Sequence, residues 1–297
     1  MQSSSRYLSR RALLLPALSA PFGCNLRRRR SFRRLFDGKT LAGWRAIPRV
    51  PVAAYPGAPE PDHDSPAYRA ALSSKGRWTV ENGAIVGGQD PPGSRLGGYL
   101  ITEETFGDFE MTIDVNPDWS TDSGIMIRAT SLGGQGFQVH MDYRMLGSVA
   151  TFYGNGIGNW RARHYAFNPT RDDAGRVAGL HRELAPDEEI RNLAWHSAPD
   201  RFFQVWRFGQ WNTLRIRCVG QYPRITTWVN DAEIAELDAA ALLAPGYDRE
   251  AVARLLGRRG HIALEVHDNP DTLWMGVDRW LPGRVVRYRN IALRPLD

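Results

Sequence analysis

Residues 109–115, FEMTIDV, alternate without a break: Phe109, Met111, Ile113 and Val115 point one way, Glu110, Thr112 and Asp114 the other. Successive side chains of a strand face opposite sides of a sheet, so a chain built from short runs of this kind folds as half-buried sheet. The runs recur at 123–129, 136–143, 213–219, 225–230, 261–267 and 286–293. Turn signals separate them: Glu81-Asn82-Gly83, Gly133-Gly134, Gly154-Asn155-Gly156 and Asn230-Asp231. Many short strands joined by such turns predict an all-β, antiparallel sandwich or jelly roll and not a parallel sheet. One helix is expected, Arg249 to Leu256, capped by Asp248, with Val252, Leu255 and Leu256 on one face and Gly257 ending it. Residues 48–76 and 168–197 read as long excursions, which are commonly functional or mobile.

The formal charge of +6 misleads. Nine arginines and no acid fall within the first 34 residues; the remaining 29 basic residues face 32 acids. A nucleic-acid binder carries its basic surface on the folded domain, so nucleic acid is not an expected partner. The segment 1–31 reads as a leader and 32–297 as a single β domain. Ser9, Arg10 and Arg11 followed by Leu13 and Leu14 resemble a twin-arginine export signal, and the apolar run Ala12–Ala20 is too short to span a bilayer. An exported, periplasmic or extracellular protein is expected, with a disordered basic tail as the plainer alternative. Cys24 falls in the leader, which leaves Cys218 alone in the body as a small buried hydrophobe. No HExxH, CxxC, EF-hand, G-x-S-x-G or phosphate-loop motif occurs.

Two runs concentrate chemistry. In 260–270, Ile262, Leu264 and Val266 face the core, while His261, Ala263, Glu265 and His267 share the other face. In 136–143, Phe137, Val139 and Met141 face inward and Gln138, His140 and Asp142 outward. A carboxylate beside an imidazole can serve as acid and base, or as two metal ligands; a solvated outer face shows the same alternation. Upstream, Gly124, Met126 and Arg128 share a face, with Asp122 and Ser123 beginning the run. The Arg128 fork suits hydroxyl or carboxylate oxygens, or could simply pair with Asp142. Trp119, Tyr143, Tyr153, Trp160, Trp206 and Trp211 lie near turns or polar faces. Sugar rings stack on such side chains, although core packing explains most of them. Tyr153 and Trp160, flanking the 154–156 turn, are the preferred sugar-facing pair.

Taken together these segments resemble the 3-keto-disaccharide hydrolase domain family. FRRLFDGKTLAGW is similar to its opening motif, with Leu35, Phe36, Asp37, Gly38, Leu41 and Trp44 in place. WTVENGAIVGG, GGYLITEETFGDFEMTIDV, DSGIMIRA, GFQVHMDY, ATFYGNG, QWNTLRIRCVG, ITTWVND, GHIALEVHDNP and RYRNIALRPL follow in the family's order, from Phe32 to Leu296. The resemblance implies a concanavalin A-like jelly roll of the lectin/glucanase type with one concave sheet. It also implies action on sugars oxidised at C3, where a base removes the C2 hydrogen, the C1 substituent departs and water adds. On that reading His140, Asp142, Glu265 and His267 are the catalytic set, emerging from the same side of one curved sheet around a shared cavity. Asp122, Arg128, Gln138, Tyr143, Tyr153 and Trp160 would bind a carbohydrate substrate, and a divalent metal ion could stabilise the enolate. Family members commonly carry glutamine where Glu265 stands and a Glu-Val-Gln run where Gln138, Val139 and His140 stand, so acidic and amide positions look exchanged here. A lectin-like, non-catalytic carbohydrate-binding module is the competing expectation, and a purely structural exported domain a third.

Overall fold

The computed structural model describes residues 31–269 and 279–296. The basic leader, Cys24 and Pro270 lie outside the described residues. Two antiparallel sheets pack face to face as a jelly-roll sandwich. The first runs, in spatial order, Trp195–His196, Ala232–Asp238, Arg224–Val229, Asn212–Val219, Phe109–Pro117, Val286–Pro295, Ala84–Gly88 and Arg77–Glu81, with Arg33–Arg34 also paired to Val286–Pro295. The second runs Arg161–Ala162, Val149–Asn155, Gly136–Tyr143, Thr121–Ala129, His261–Val266, Gly98–Thr102 and Trp44–Pro48.

Alternation sets which residues fill the space between the sheets. Phe109, Met111, Ile113 and Val115 from the first sheet meet Ile125, Ile127, Val139, Met141, Ile262 and Leu264 from the second in one core. Each such side chain, once fully buried, contributes about 1.5–3 kcal/mol over its exposed state. Cys218 is buried in the same core. Two hairpins close as their sequences require. Asn82-Gly83 (φ 50° and 76°) joins Arg77–Glu81 to Ala84–Gly88, and Asn230-Asp231 (φ 46° and 68°) joins Arg224–Val229 to Ala232–Asp238. Positive φ at both central residues is the two-residue turn that matches strand twist.

The helix Arg249–Leu256 forms with Asp248 accepting from the Glu250 and Ala251 amides, and Gly257 (φ 64°) follows it. The two excursions are more ordered than expected. Residues 48–76 contain the helix Pro66–Leu72, and residues 168–197 contain most of the hairpin Ala166–Arg171/Val177–Glu183, the short helix Asp187–Ile190 and an edge strand. Among the described residues no helix is long and apolar enough to cross a membrane.

Candidate active site

The strand Thr121–Ala129 lies between Gly136–Tyr143 and His261–Val266, so the two clusters are separated by one strand. They nonetheless share a face. Ile125, Val139, Met141, Leu264 and Val266 occupy the core side, which sends Asp122, Gly124, Gln138, His140, Asp142, Glu265 and His267 to the outer side. Asp122 pairs with Asp142 and Gly124 with His140. Beyond the ladder, the His267 amide donates to the Asp122 carbonyl at 3.3 Å.

Gly124 leaves an opening in this face. A Cβ there would sit 1.9 Å from Gln138 Nε2. Gln138 uses the space to reach across the strand and donate to Glu265 Oε2. Glu265 is fully buried, and its Oε1 accepts from Arg49 Nε (2.7 Å) and the Tyr99 hydroxyl (3.2 Å). Above this floor is a cavity of about 250 Å³. Asp122, Gln138, His140, Asp142, Tyr153 and His267 line it, together with Arg49, Arg144, Asn155, Arg161, Asp268 and Arg279. Tyr153 contributes an aromatic wall and stacks on His140, centroids 5.8 Å apart.

Asp122 and Asp142 share one cation: Arg144 Nε is 3.3 Å from Asp122 Oδ2 and 2.8 Å from Asp142 Oδ1. Their environments drive them apart. Burial opposes ionisation of Asp122, but His267, Arg144 and Arg279 outweigh it and hold that carboxyl far below its usual range. For Asp142, burial, reinforced by the Asp122 charge, outweighs Arg144 and raises the carboxyl to about 6. His140 is pushed down to about 3 by burial, then by Arg161 and Arg163. It is therefore neutral, with Nδ1 3.2 Å from the hydroxyls of Ser148 and Thr151. At His267, burial and the Arg49 charge oppose protonation, but Asp122 and Asp268 outweigh them and raise the imidazole above its ordinary value. Its Nε2 meets Arg49 Nη2 at 2.9 Å and Arg279 Nη1 at 2.8 Å. Guanidinium groups only donate, so in the neutral form of His267 the lone pair is on Nε2 and the proton on Nδ1, 2.7 Å from the Asp268 carbonyl oxygen. Burial raises Asp268, but Arg49 (2.6 Å) and His267 bring it well below the usual carboxylate range.

Three expected site residues lie elsewhere. Arg128 does not share the face of Met126. The ladder shifts register between His261 and Ala263, and Arg128 takes φ 53°, a bulge that turns it away from the cavity. There its Nη2 donates to Asp108 Oδ1 at 2.9 Å and to the Gly220 carbonyl at 3.3 Å. Tyr143 follows the inward alternation and is buried among Trp119, Phe167 and Trp206. Trp160 packs on Phe137 and Tyr247, donates to the Ile157 carbonyl and reaches the surface only at a groove beside the cavity. Of the preferred sugar-facing pair, only Tyr153 faces the cavity.

Arg49, Arg144, Asn155, Arg161 and Arg279 were not anticipated. Among the described residues no three His, Cys, Asp or Glu side chains form a metal-ligand set. Arginines engage Asp122, Asp142, Asp268 and Glu265, so among the described residues this donor set does not suit a divalent ion.

Residues 31–294 match the family model described as 3-keto-alpha-glucoside-1,2-lyase-like domain. No curated protein matches the chain. Among solved structures, a Parabacteroides distasonis protein provisionally described as a glycosyl hydrolase superposes with a TM-score of 0.46 at 17% identity, over 90% of this chain and 100% of that one. The carbohydrate-binding module CBM66 from Bacillus subtilis superposes with a TM-score of 0.40 at 11% identity, over 74% and 91%. The Bacillus licheniformis β-glucanase does so with a TM-score of 0.40 at 8% identity, over 90% and 98%.

Proposed function

The chain belongs to the 3-keto-alpha-glucoside-1,2-lyase-like domain family, and from that membership we propose that it cleaves glycosides whose sugar is oxidised at C3, by β-elimination followed by hydration. The observation that carries the assignment is the divided carboxylate pair, with Asp142 raised to about 6 on the wall of an arginine-lined cavity. Two titratable groups whose surroundings push them apart mark the residue that exchanges protons near neutral pH.

The C3 ketone acidifies the C2 hydrogen. Asp142, ionised, takes that proton, and the C–H electron pair moves to the C3 oxygen as an enolate. Guanidinium donors on the cavity wall favour that negative charge. The enolate collapses, C1=C2 forms, and the C1–O bond breaks. Asp142 returns the proton to the departing oxygen. Water then adds across the double bond, its oxygen to C1 and a proton to C2, giving the free 3-keto sugar. His140, neutral throughout, offers a hydrogen bond to a ring substituent. Glu265 lies under the floor with three donors on its oxygens and acts as a positioning residue for Arg49 and Gln138.

Asp142→Asn is expected to lower kcat on a 3-keto-glucoside by about 100-fold or more while leaving thermal unfolding close to wild type. Near-normal turnover would remove Asp142 from the mechanism. Reaction in D2O separates the chemistries: elimination leaves deuterium at C2 of the product above the free ketone's own exchange, and direct hydrolysis does not. Binding of 3-keto-glucosides without cleavage would assign the protein to the lectins instead.

A further inference from the structure

A groove of about 980 Å³ opens beside the catalytic cavity, and Tyr153, Arg161 and Arg279 line both. The chemical character changes along it. Among the described residues the cavity is walled mostly by charged and amide groups, whereas the groove has two sides: Trp160, Ala241, Leu243 and Pro245 on one, and polar groups that include Glu188, Glu189, Arg191 and Asn192 on the other. The segment 239–247 that carries most of the apolar side is built in. Leu242 and Ala244 are buried on either side of Leu243, and the Tyr247 hydroxyl donates to the Ala239 carbonyl at 2.9 Å. Gly246 (φ 75°) meets Gly158 (φ 116°) so closely that a Cβ on Gly158 would lie 2.9 Å from the Gly246 backbone. Leu243 is thereby held outward, 93% exposed. An apolar side chain fixed in water beside a reaction cavity has a use if substrate covers it.

We infer that this groove is the leaving-group subsite and that it takes an aromatic aglycone. The inference rests on the proposed cleavage at C1: the sugar ring fills the polar cavity, and the group released from C1 lies past Tyr153 and Arg161 on Trp160, Leu243 and Pro245. A flat aryl ring can cover the exposed Leu243 and Pro245 with one face and leave a substituent at its edge to Glu188, Arg191 or Asn192, whereas a sugar ring laid there would set hydroxyls against the apolar side.

The test uses the full chain, with Leu243→Asp as the variant, because that side chain is exposed and outside the catalytic machinery. Methyl, p-nitrophenyl and glucosyl 3-keto-glucosides are compared as substrates, and the variant-to-wild-type ratio for each cancels intrinsic reactivity. For the aryl substrate KM is expected to rise about fivefold or more with kcat unchanged, since burying part of a leucine is worth that much. The methyl substrate is expected to be unaffected. Equal effects on methyl and aryl substrates, or none on either, would overturn the subsite; a loss confined to the glucosyl substrate would assign the groove to a second sugar and overturn the aryl class. Calorimetry with unoxidised phenyl glucoside keeps the two readings apart. If no 3-keto substrate is turned over, the cleavage reading fails. Phenyl glucoside binding weakened about fivefold by L243D would then still support the groove as an aryl site, and unchanged or absent binding would overturn it.

Discussion

Arg144 stands between Asp122 and Asp142 and favours the ionised form of both, while burial and the Asp122 charge hold Asp142 up. The proposed base is the ionised form of Asp142, so kcat/KM is expected to fall about tenfold per pH unit below about 6. Arg144→Met removes a charge that lowers Asp142, so the acid limb moves to higher pH; a limb that stays put would show that Asp142 is not the group reported. Gln138 and Glu265 make a second pair. Family members commonly carry the acid at the first position and the amide at the second, and here the two side chains are hydrogen-bonded to one another. The exchange therefore preserves the bond and moves the charge toward Arg49. Gln138→Glu alone sets two carboxylates against each other in a buried place, and Glu265→Gln alone strips Arg49 of a partner. The double exchange is expected to be more stable than the sum of the single losses by at least about 1 kcal/mol, read from a double-mutant cycle of denaturant midpoints.

At the scale of strands, alternation carried most of the architecture. The run 109–115 placed its four apolar residues in the core, and 136–143 and 261–266 placed Gln138, His140, Asp142 and Glu265 on one outer face. The same period, continued two residues past Asp142 and past Tyr153, reaches Arg144 and Asn155, so the signal for those two was present. It failed at Arg128, because a bulge shifts the alternation and no single-strand pattern announces one. Arg49, Arg161 and Arg279 were illegible for another reason: they come from a segment after one strand, a two-residue strand and a connection, and only pairing across the sheet brings them to the cavity. Strand order was also beyond the pattern, and nothing in it set Thr121–Ala129 between the two clusters. Gly124 is where that middle strand yields space. Gly124→Ala is expected to cost about 1–3 kcal/mol of stability by crowding Gln138 and to lower turnover by displacing Gln138 from Glu265. A variant with wild-type stability and activity would show that the crossing is dispensable.

For the whole molecule, buried neutral histidines set the response to acid. His140 and His164 both titrate at about 3 in the folded chain, burial being the main cause, against 6.5 when unfolded. Between those values the unfolded state binds more protons, so their contribution is complete above pH 6.5 and is lost as pH falls, by about 1.4 kcal/mol per unit for each. Asp142 acts in the opposite sense between about 6 and its unfolded value, which leaves a net uptake of about one proton. Denaturant midpoints are expected to drop steadily from pH 6.5 toward 4, and His164→Asn, away from the cavity, to flatten most of that slope. The joint between Gly158 and Gly246 bears on how such a protein diversifies. Backbone holds it with no side chain between, so residues on the crest of the 239–247 segment can be replaced without loosening it. On the proposed cleavage, the Leu243 crest that would choose what is released can vary without touching the carboxylates that would release it, and descendants of this gene could change clientele while keeping their chemistry.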